Sequence, residues 1–447
     1  MADNSYNASP TLACVSMPDI GRPEKLDVEN KAGESPPPSG PPDGGRDAWL
    51  TIIGGFLVQF CAFGYMNSFG VYQDYYTRDF LSNKTPSDIS WIGSFQLFIM
   101  YALGVVVGHA FDSGYFHHTM IFGSVFYVFS MFMVSLAKPH HYYQVFLSQG
   151  VGMGIGQGIL FLPSLTIVGH HFKRRRALAS GIVVSGASVG GVVFPIMLSK
   201  IAQRTTFANS IRATAALVAV LLFIANLLMK TRLPDRTVGR PAPRPEVKGI
   251  LSDWTFVIAV LGAFLTNLGL FFPYFYLQLY AVAQGIDPSV AFYALTILNS
   301  GSMIGRLLPN FLADSLGVYN MLIPFIVISA GLIFSLLGIH SFPSIIAFGA
   351  LYGFSSGAYV SLVAPLLGQL SSHVGELGIR MGIAFSIVSI AMLIGTPVEG
   401  ALLGREDAEI VWSRSIIFCG VMVTLGSMMM AISRFLFVKR RGTNSRA

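Results

Sequence analysis

Arg306 lies inside an apolar run, 291–312, that also holds Asn299 and Ser302. Placing an arginine at mid-bilayer costs roughly 2.5–3.5 kcal/mol on insertion scales, so such a residue usually faces a protein-lined cavity and marks a substrate or ion path. A guanidinium presents a planar fork of donors that fits a carboxylate in two-point contact, which makes an anion its expected partner. Glu399 sits in a second apolar run, 379–403, where an acid can pair with Arg306, carry a coupled proton or face outer water. The amides Asn67, Gln96, Gln157 and Asn299 also fall within apolar runs, where they bond substrate or a neighbouring helix. Tyr274 and Tyr276, with Phe272, surround Pro273 and suit an aromatic cavity wall. The expected substrate-binding set is therefore Arg306, Asn67, Tyr274, Gln157 and Asn299, with Glu399 as the proton-coupling candidate.

Enzyme chemistry finds no such convergence. Gly353-Phe354-Ser355-Ser356-Gly357 spells the pattern of a nucleophile elbow, but it lies within an apolar run without a strand–turn–helix context. The glycines from Gly150 to Gly158 do not complete a dinucleotide fingerprint. The 9 histidines show no metal-ligand spacing with acidic or cysteine partners, and the 3 cysteines make no disulfide framework. No enzyme, metal or cofactor is predicted. The net charge of +7 is not a nucleic-acid signature either, because the basic residues flank apolar runs.

The elements that must position these residues are membrane helices. The chain is 53% hydrophobic and only 11% charged over 447 residues, whereas soluble domains are about 25% charged. Twelve runs reach the length of about 20 residues that a helical span requires. They fall at 49–72, 91–111, 119–137, 142–168, 177–199, 213–229, 254–277, 291–312, 321–339, 344–367, 379–403 and 411–433. Most of the 29 lysines and arginines then lie on one side, which predicts both termini in the cytoplasm of a multi-pass protein, with the plasma membrane as the expected location.

A proline-rich loop splits the spans six and six. The predicted organisation is a disordered cytoplasmic tail (1–46), a six-helix bundle (47–230), a linker (231–252), a second six-helix bundle (253–433) and a basic tail (434–447). The halves echo each other, with Asp112 and then Gly114 after the second span and Asp314 and then Gly317 after the eighth. Such repeats place a substrate site near midplane between the halves. Asp112 and Asp314 are expected to cap helix ends and hold a closed state. Asn83, in Asn83-Lys84-Thr85, is a glycosylation candidate in an outer loop.

This plan resembles the major facilitator superfamily and, within it, a fungal monocarboxylate porter-like family. The resemblance rests on Asp43-Gly44-Gly45 with Ala48-Trp49, on the stretch from His171 to Gly181 with Ser185-Gly186-Ala187 and Gly190, and on Gly395-Thr396-Pro397. It implies an all-α membrane fold of twelve helices in two pseudo-symmetric halves and rocker-type alternating access. It also implies a small organic anion, a monocarboxylate or carboxylated metabolite, moved with protons and received by Arg306. Two positions depart from the family: Ser302 stands where an acid precedes the arginine, and Asn67 stands where proton-coupled members carry a lysine. Export of a fungal secondary metabolite is the alternative, and a membrane sensor on a transporter fold is the non-transport one.

Overall fold

A backbone surrounded by hydrocarbon must satisfy every N–H and C=O within itself, which leaves helices as the means of spanning for a chain patterned like this one. The structure, a computed structural model, describes residues 43–232, 247–371, 376–403, 405–406 and 409–441. Residues 1–42 of the predicted tail, 233–246 of the linker and 442–447 of the basic tail lie outside the described residues.

The first half comprises α1 (Arg46–Gly64), α2 (Asp88–Asp112), α3 (Phe116–Ser135), α4 (Tyr142–His171), α5 (Arg176–Arg204) and α6 (Phe207–Leu228). The second opens with α7 (Trp254–Ala283) and α8 (Pro288–Leu316). It continues with α9 (Val318–Gly338), α10 (Phe342–Leu370), α11 (Leu377–Leu402) and α12 (Trp412–Arg440). Eleven of these are long and apolar enough to cross a membrane. The twelfth, α8, is 29 residues long, and its apolar character is diluted by Asn299, Arg306 and Asn310. Those three side chains are buried, whereas Ile304, Leu308 and Phe311 on the opposite side of the same helix are exposed. The helix is thus two-faced, polar toward protein and apolar outward. Among the described residues, extended structure is confined to the pairing of Arg405–Glu406 with Glu409–Ile410 between α11 and α12.

Several elements depart from their predicted outlines, α7 among them, which breaks into turns between Asn267 and Phe272. The first span is not one continuous helix over 49–72. It widens into a π segment at Phe60–Gly64, turns at Asn67 and Ser68, and resumes as the helix Phe69–Tyr75. The carbonyls of Cys61 and Ala62 within the π segment accept hydrogen bonds from Tyr127 Oη at 2.9 Å and Gln157 Nε2 at 3.0 Å, so side chains satisfy the widened turn. In α2 the helix breaks at Leu103. There Ser386 of α11 inserts its hydroxyl, donating to the Ala102 carbonyl at 2.8 Å and accepting from Val105 N at 3.2 Å, one of the recognised causes of a kink. The final helix runs to Arg441, so 434–441 is helix rather than tail. Phe437 extends its buried face against Tyr319, with ring centroids 5.6 Å apart.

Close helix packing on glycine runs within each half and also between them, at Gly104 with Gly382 and Gly108 with Gly378. Along the α8/α10 seam an added Cβ would strike backbone, as Gly301 does at Ala350, Gly305 at Phe354 and Gly353 at Leu298. Small residues let the helices meet backbone to backbone. Gly353→Val should therefore lower the thermal midpoint of the purified protein by several degrees, equivalent to the 1–3 kcal/mol or so typical of overpacking. Gly331→Ala, at a position with nothing within 4 Å, is the control; equal midpoints for the two variants would contradict this packing.

Candidate functional site

A cavity of about 500 Å³ lies between the halves. Its walls come from the second part of α1 and the helix that follows it, the start of α2, the latter part of α7, the start of α8 and the latter part of α11. All of these lie toward the end of the bundle away from the start of α1 and the end of α12. The cavity therefore opens on the face opposite the described termini. Asn67, Gln73 and Ser94 line it from the first half, and Tyr274, Tyr276, Gln278 and Thr396 from the second. Among the described lining residues there is neither an acid nor a base.

The floor is aromatic and shared between the halves. Phe63, Phe271 and Tyr274 line the cavity, and Tyr101, Phe161 and Phe385 pack behind them, so that each half supplies three rings of the cluster. Contacts cross the interface at Phe63–Phe271 (6.4 Å), Tyr101–Phe385 (5.5 Å) and Phe161–Phe385 (5.6 Å), each edge-on. Such pairs are worth about 0.5–1.5 kcal/mol beyond their buried area. The Tyr274 hydroxyl shares a hydrogen bond with Ser356 Oγ at 3.1 Å and donates to Ser302 Oγ at 3.4 Å. Ser356, from the serine motif that mimics a nucleophile elbow, thus belongs to a helical packing network.

Arg306 does not line this cavity. It is 1% exposed and lies in the seam between α5 and α8, where Nη1 donates to the Val184 carbonyl of the other half at 2.6 Å. Its Nε has no partner among the described residues. The Tyr101 and Tyr274 rings of the floor stand close enough to act on the guanidinium electrostatically. A neutral carbonyl leaves a buried cation only partly compensated.

The remaining predicted residues are divided by the structure. Asn67 lines the cavity, and Asn299 is fully buried beside it, its Nδ2 donating to the Leu295 carbonyl at 3.1 Å. Gln157 points elsewhere. Its amide accepts from Gln96 at 2.8 Å and donates to Ala62 O and Tyr127 Oη, all within the first half. It holds the π segment of α1 and leaves no polar atom for the cavity. Glu399 neither bonds Arg306 nor faces water. It is 2% exposed, Cys419 Sγ donates to its Oε1 at 3.6 Å, and Oε2 has no partner among the described residues. Tyr276 stands between it and the cavity, its hydroxyl donating to the Thr396 carbonyl at 3.4 Å. Asn83 is exposed, with Nδ2 donating to the His140 carbonyl at 3.4 Å.

Below Arg306, at the terminal face, the two halves are joined by a reciprocal pair of caps. Asp112 of α2 accepts from Gly378 N at 2.9 Å and Ile379 N at 2.7 Å at the start of α11. Asp314 of α8 accepts from Ala177 N at 2.8 Å and Leu178 N at 3.0 Å at the start of α5. Each carboxylate comes from one half and satisfies first-turn N–H groups of the other, where the helix dipole also favours negative charge. Within the first half, Asp43 accepts from Lys173 N and Arg174 N, both at 2.6 Å. Two of the three sequence motifs that carry the family resemblance therefore meet in space. Asp253, which accepts from Arg380 and Arg440, each at 3.3 Å, extends this charged layer.

Two six-helix halves, sealed at one end and parted by a cavity at the other, define a membrane transporter. The profile of the Major Facilitator Superfamily matches residues 51–330, and the chain belongs to that family. It is 38% identical to "MFS-type transporter 1" of Ophiocordyceps sp. (strain BCC 1869), over 92% of this chain and 91% of that one. It is 37% identical to an aspyridones efflux protein of Emericella nidulans, over 90% and 81%, and 37% identical to an agnestins efflux protein of Paecilomyces divaricatus, over 87% of each. None of these three carries a monocarboxylate name. In fold, the chain is similar to the superfamily transporter FucP in its outward conformation, with a TM-score of 0.65 at 16% identity over 87% of this chain and 99% of that one.

Asp112→Ala should leave the Gly378 and Ile379 N–H groups unpaired. Amide hydrogen exchange in a peptide covering 376–382 should then accelerate by about twofold to thirtyfold, matching the roughly 0.5–2 kcal/mol carried by a helix cap. Exchange at the wild-type rate would show that the cap does not hold this face.

Proposed function

We propose that this chain is a secondary active transporter that expels a planar, mostly apolar organic metabolite bearing an acidic group. The carrying observation is the aromatic cluster at the base of the cavity, where Phe63, Phe271 and Tyr274 line the wall and Tyr101, Phe161 and Phe385 pack behind them, beside the buried Arg306 guanidinium. Clefts of roughly 300–1,000 Å³ bury ligands of drug size, and this one is about 500 Å³. A short-chain monocarboxylate, the substrate the sequence favours, has too little apolar surface to occupy such walls. A flat aromatic body fits them edge-on or offset, and its ionised group reaches down to Arg306 in place of the Val184 carbonyl.

The efflux names of the relatives, those for aspyridones and agnestins among them, support export of a fungal secondary metabolite. With the basic terminal face in the cytoplasm, the conformation described above is the releasing one. Loading then requires α5 to part from α8 and α2 from α11, which breaks the Arg306–Val184 contact and both aspartate caps. Glu399 is the proton site in this reading, because the cavity-lining Tyr276 lies near it and no cation among the described residues ties it down.

The test is transport of 2-naphthoate by the reconstituted protein in liposomes, with lactate for comparison. Faster movement of 2-naphthoate, reduced at least tenfold in Arg306→Ala, is expected. Glu399→Gln should keep exchange of 2-naphthoate while losing its response to a proton gradient. Preference for lactate, or full activity of Arg306→Ala, would overturn the reading.

A further inference from the structure

Above the aromatic floor, the two sides of the outward cavity are chemically unlike. On the first-half side, Gln73 and Thr77 are four residues apart on the helical segment that follows Ser68. Ser90 and Ser94 are four residues apart on α2. That interval is close to one helical turn, so each pair presents two polar side chains to one side. Across the cavity the second half presents Phe275, Leu279 and Val282 of α7, at the i, i+4, i+7 spacing of one helix face, and Leu295 of α8. Gln278 and Thr396 are the other polar lining residues of this half, besides Tyr274 and Tyr276.

The polar groups of the two sides are also used differently. In the second half, the Tyr274 hydroxyl is engaged by Ser356 and Ser302 and the Tyr276 hydroxyl by the Thr396 carbonyl, so both tyrosines offer mainly ring surface. In the first half, the Gln73 amide and the Ser94 hydroxyl have no hydrogen-bond partner among the described residues. Thr77 donates its hydroxyl to the Gln73 carbonyl at 2.7 Å and keeps its acceptor lone pairs. Groups that bond water when no ligand is present disfavour an apolar surface laid against them, because displacing that water without replacing its hydrogen bonds loses affinity. The first-half side thus asks for polar atoms, and the second-half side for hydrocarbon.

Space and depth fit a ligand between them. Gly70 lines the polar side, and a Cβ built on it meets nothing within 4 Å. Ser94 lies seven residues outward of Tyr101 on α2, a rise of about 10 Å, and Leu279 lies eight outward of Phe271 on α7, a rise of about 12 Å. The polar and apolar sides therefore face each other roughly one long ring system above the floor.

The geometry points to a two-edged substrate: an aromatic acid about three rings long, with neutral oxygen groups (hydroxyl, ether or ketone) along one long edge and bare hydrocarbon along the other. Gln73 and Ser94 bond the oxygen edge, and Phe275 and Leu279 pack on the bare edge. This inference rests on the aromatic-acid reading above, because the acid at Arg306 sets the direction of the long axis. A planar molecule held by its acid can still rotate about that axis and bring a single polar edge to the polar side. With one oxygen on each edge it cannot, and one oxygen always meets hydrocarbon. Gln73 and Ser94 are then specificity-determining residues that separate regioisomers of equal size and charge.

The experiment measures binding to the full-length protein in lipid nanodiscs, using the fluorescence of two such isomers. In 4,5-dimethoxyanthracene-2-carboxylate both oxygens lie on one long edge, and in 4,8-dimethoxyanthracene-2-carboxylate there is one on each. The 4,5 isomer should bind at least about fivefold more tightly, the scale of one or two hydrogen bonds. Combining Gln73→Leu with Ser94→Ala should bring the ratio below about twofold. Leu279→Gln adds a polar group to the hydrocarbon side and should narrow the ratio from the other direction, by tightening the 4,8 isomer. Equal affinity of wild type for the two isomers, or a ratio unchanged in both variants, overturns the two-edged substrate. The aromatic-acid reading survives that result if Arg306→Ala still weakens both isomers. Failure of both isomers to bind, or binding indifferent to Arg306→Ala, overturns both inferences.

Discussion

A guanidinium held away from water must find compensation inside the protein, and in the sealed state Arg306 finds a backbone carbonyl from the opposite half, with the Tyr274 hydroxyl beside it. The rest of the architecture follows from that contact. The carbonyl can reach the arginine only because α5 and α8 approach closely there, where a Cβ on Gly181 would meet the Arg306 backbone and the Asn310 side chain. The same approach closes the bundle beneath the aromatic floor and leaves the cavity open on one side alone. Hydrogen bonds to charged groups contribute roughly 1.5–3 kcal/mol, enough to bias a closed state and small enough for a ligand to replace.

The contacts between the halves add polar joints to the glycine packing that also holds each half together. Within the second half, α8 and α10 touch backbone to backbone, a packing that sliding would disrupt. Between the halves, glycine-mediated backbone contacts (Gly104 with Gly382, Gly108 with Gly378) are joined by a few polar joints: one guanidinium on a carbonyl, two aspartates on helix starts, one serine hydroxyl in a kink. Each can part without unpacking a core. The caps are related by the internal repeat, since Asp112 and Asp314 occupy matching places and each reaches across to the opposite half. A seal built from two equivalent joints opens by rotation of one bundle against the other, which is the motion that alternating access needs.

Much of this was legible from the residues. Long apolar runs revealed the spans because hydrocarbon admits few alternatives to helix. Arg306 and the two aspartates stood out because charge in such a setting demands a reason. The partners were not legible, since the Val184 carbonyl is backbone and any residue type supplies one. The aromatic floor was hidden among 35 phenylalanines and 17 tyrosines, most of which pack or face outward. Gln157 and Asn299 look alike in sequence, yet the first serves the π segment of α1 and the second lies buried beside the cavity, bonded to its own helix. That difference depends on helix rotation, which a chain without a strong apolar stripe does not encode locally. The extension of the last helix to Arg441 was masked by basic residues that mark a membrane boundary equally well with or without a helix.

The most direct measurement is the distance between spin labels placed at the exposed positions Lys173 and Leu316 on the terminal face, one in each half, in the reconstituted protein. The unloaded wild type should give one short distance, and Arg306→Ala should add a substantial population at longer separation. A wild type already dominated by the long distance, or a distribution unchanged by Arg306→Ala, would contradict the claim that this arginine and its carbonyl partner hold the face closed.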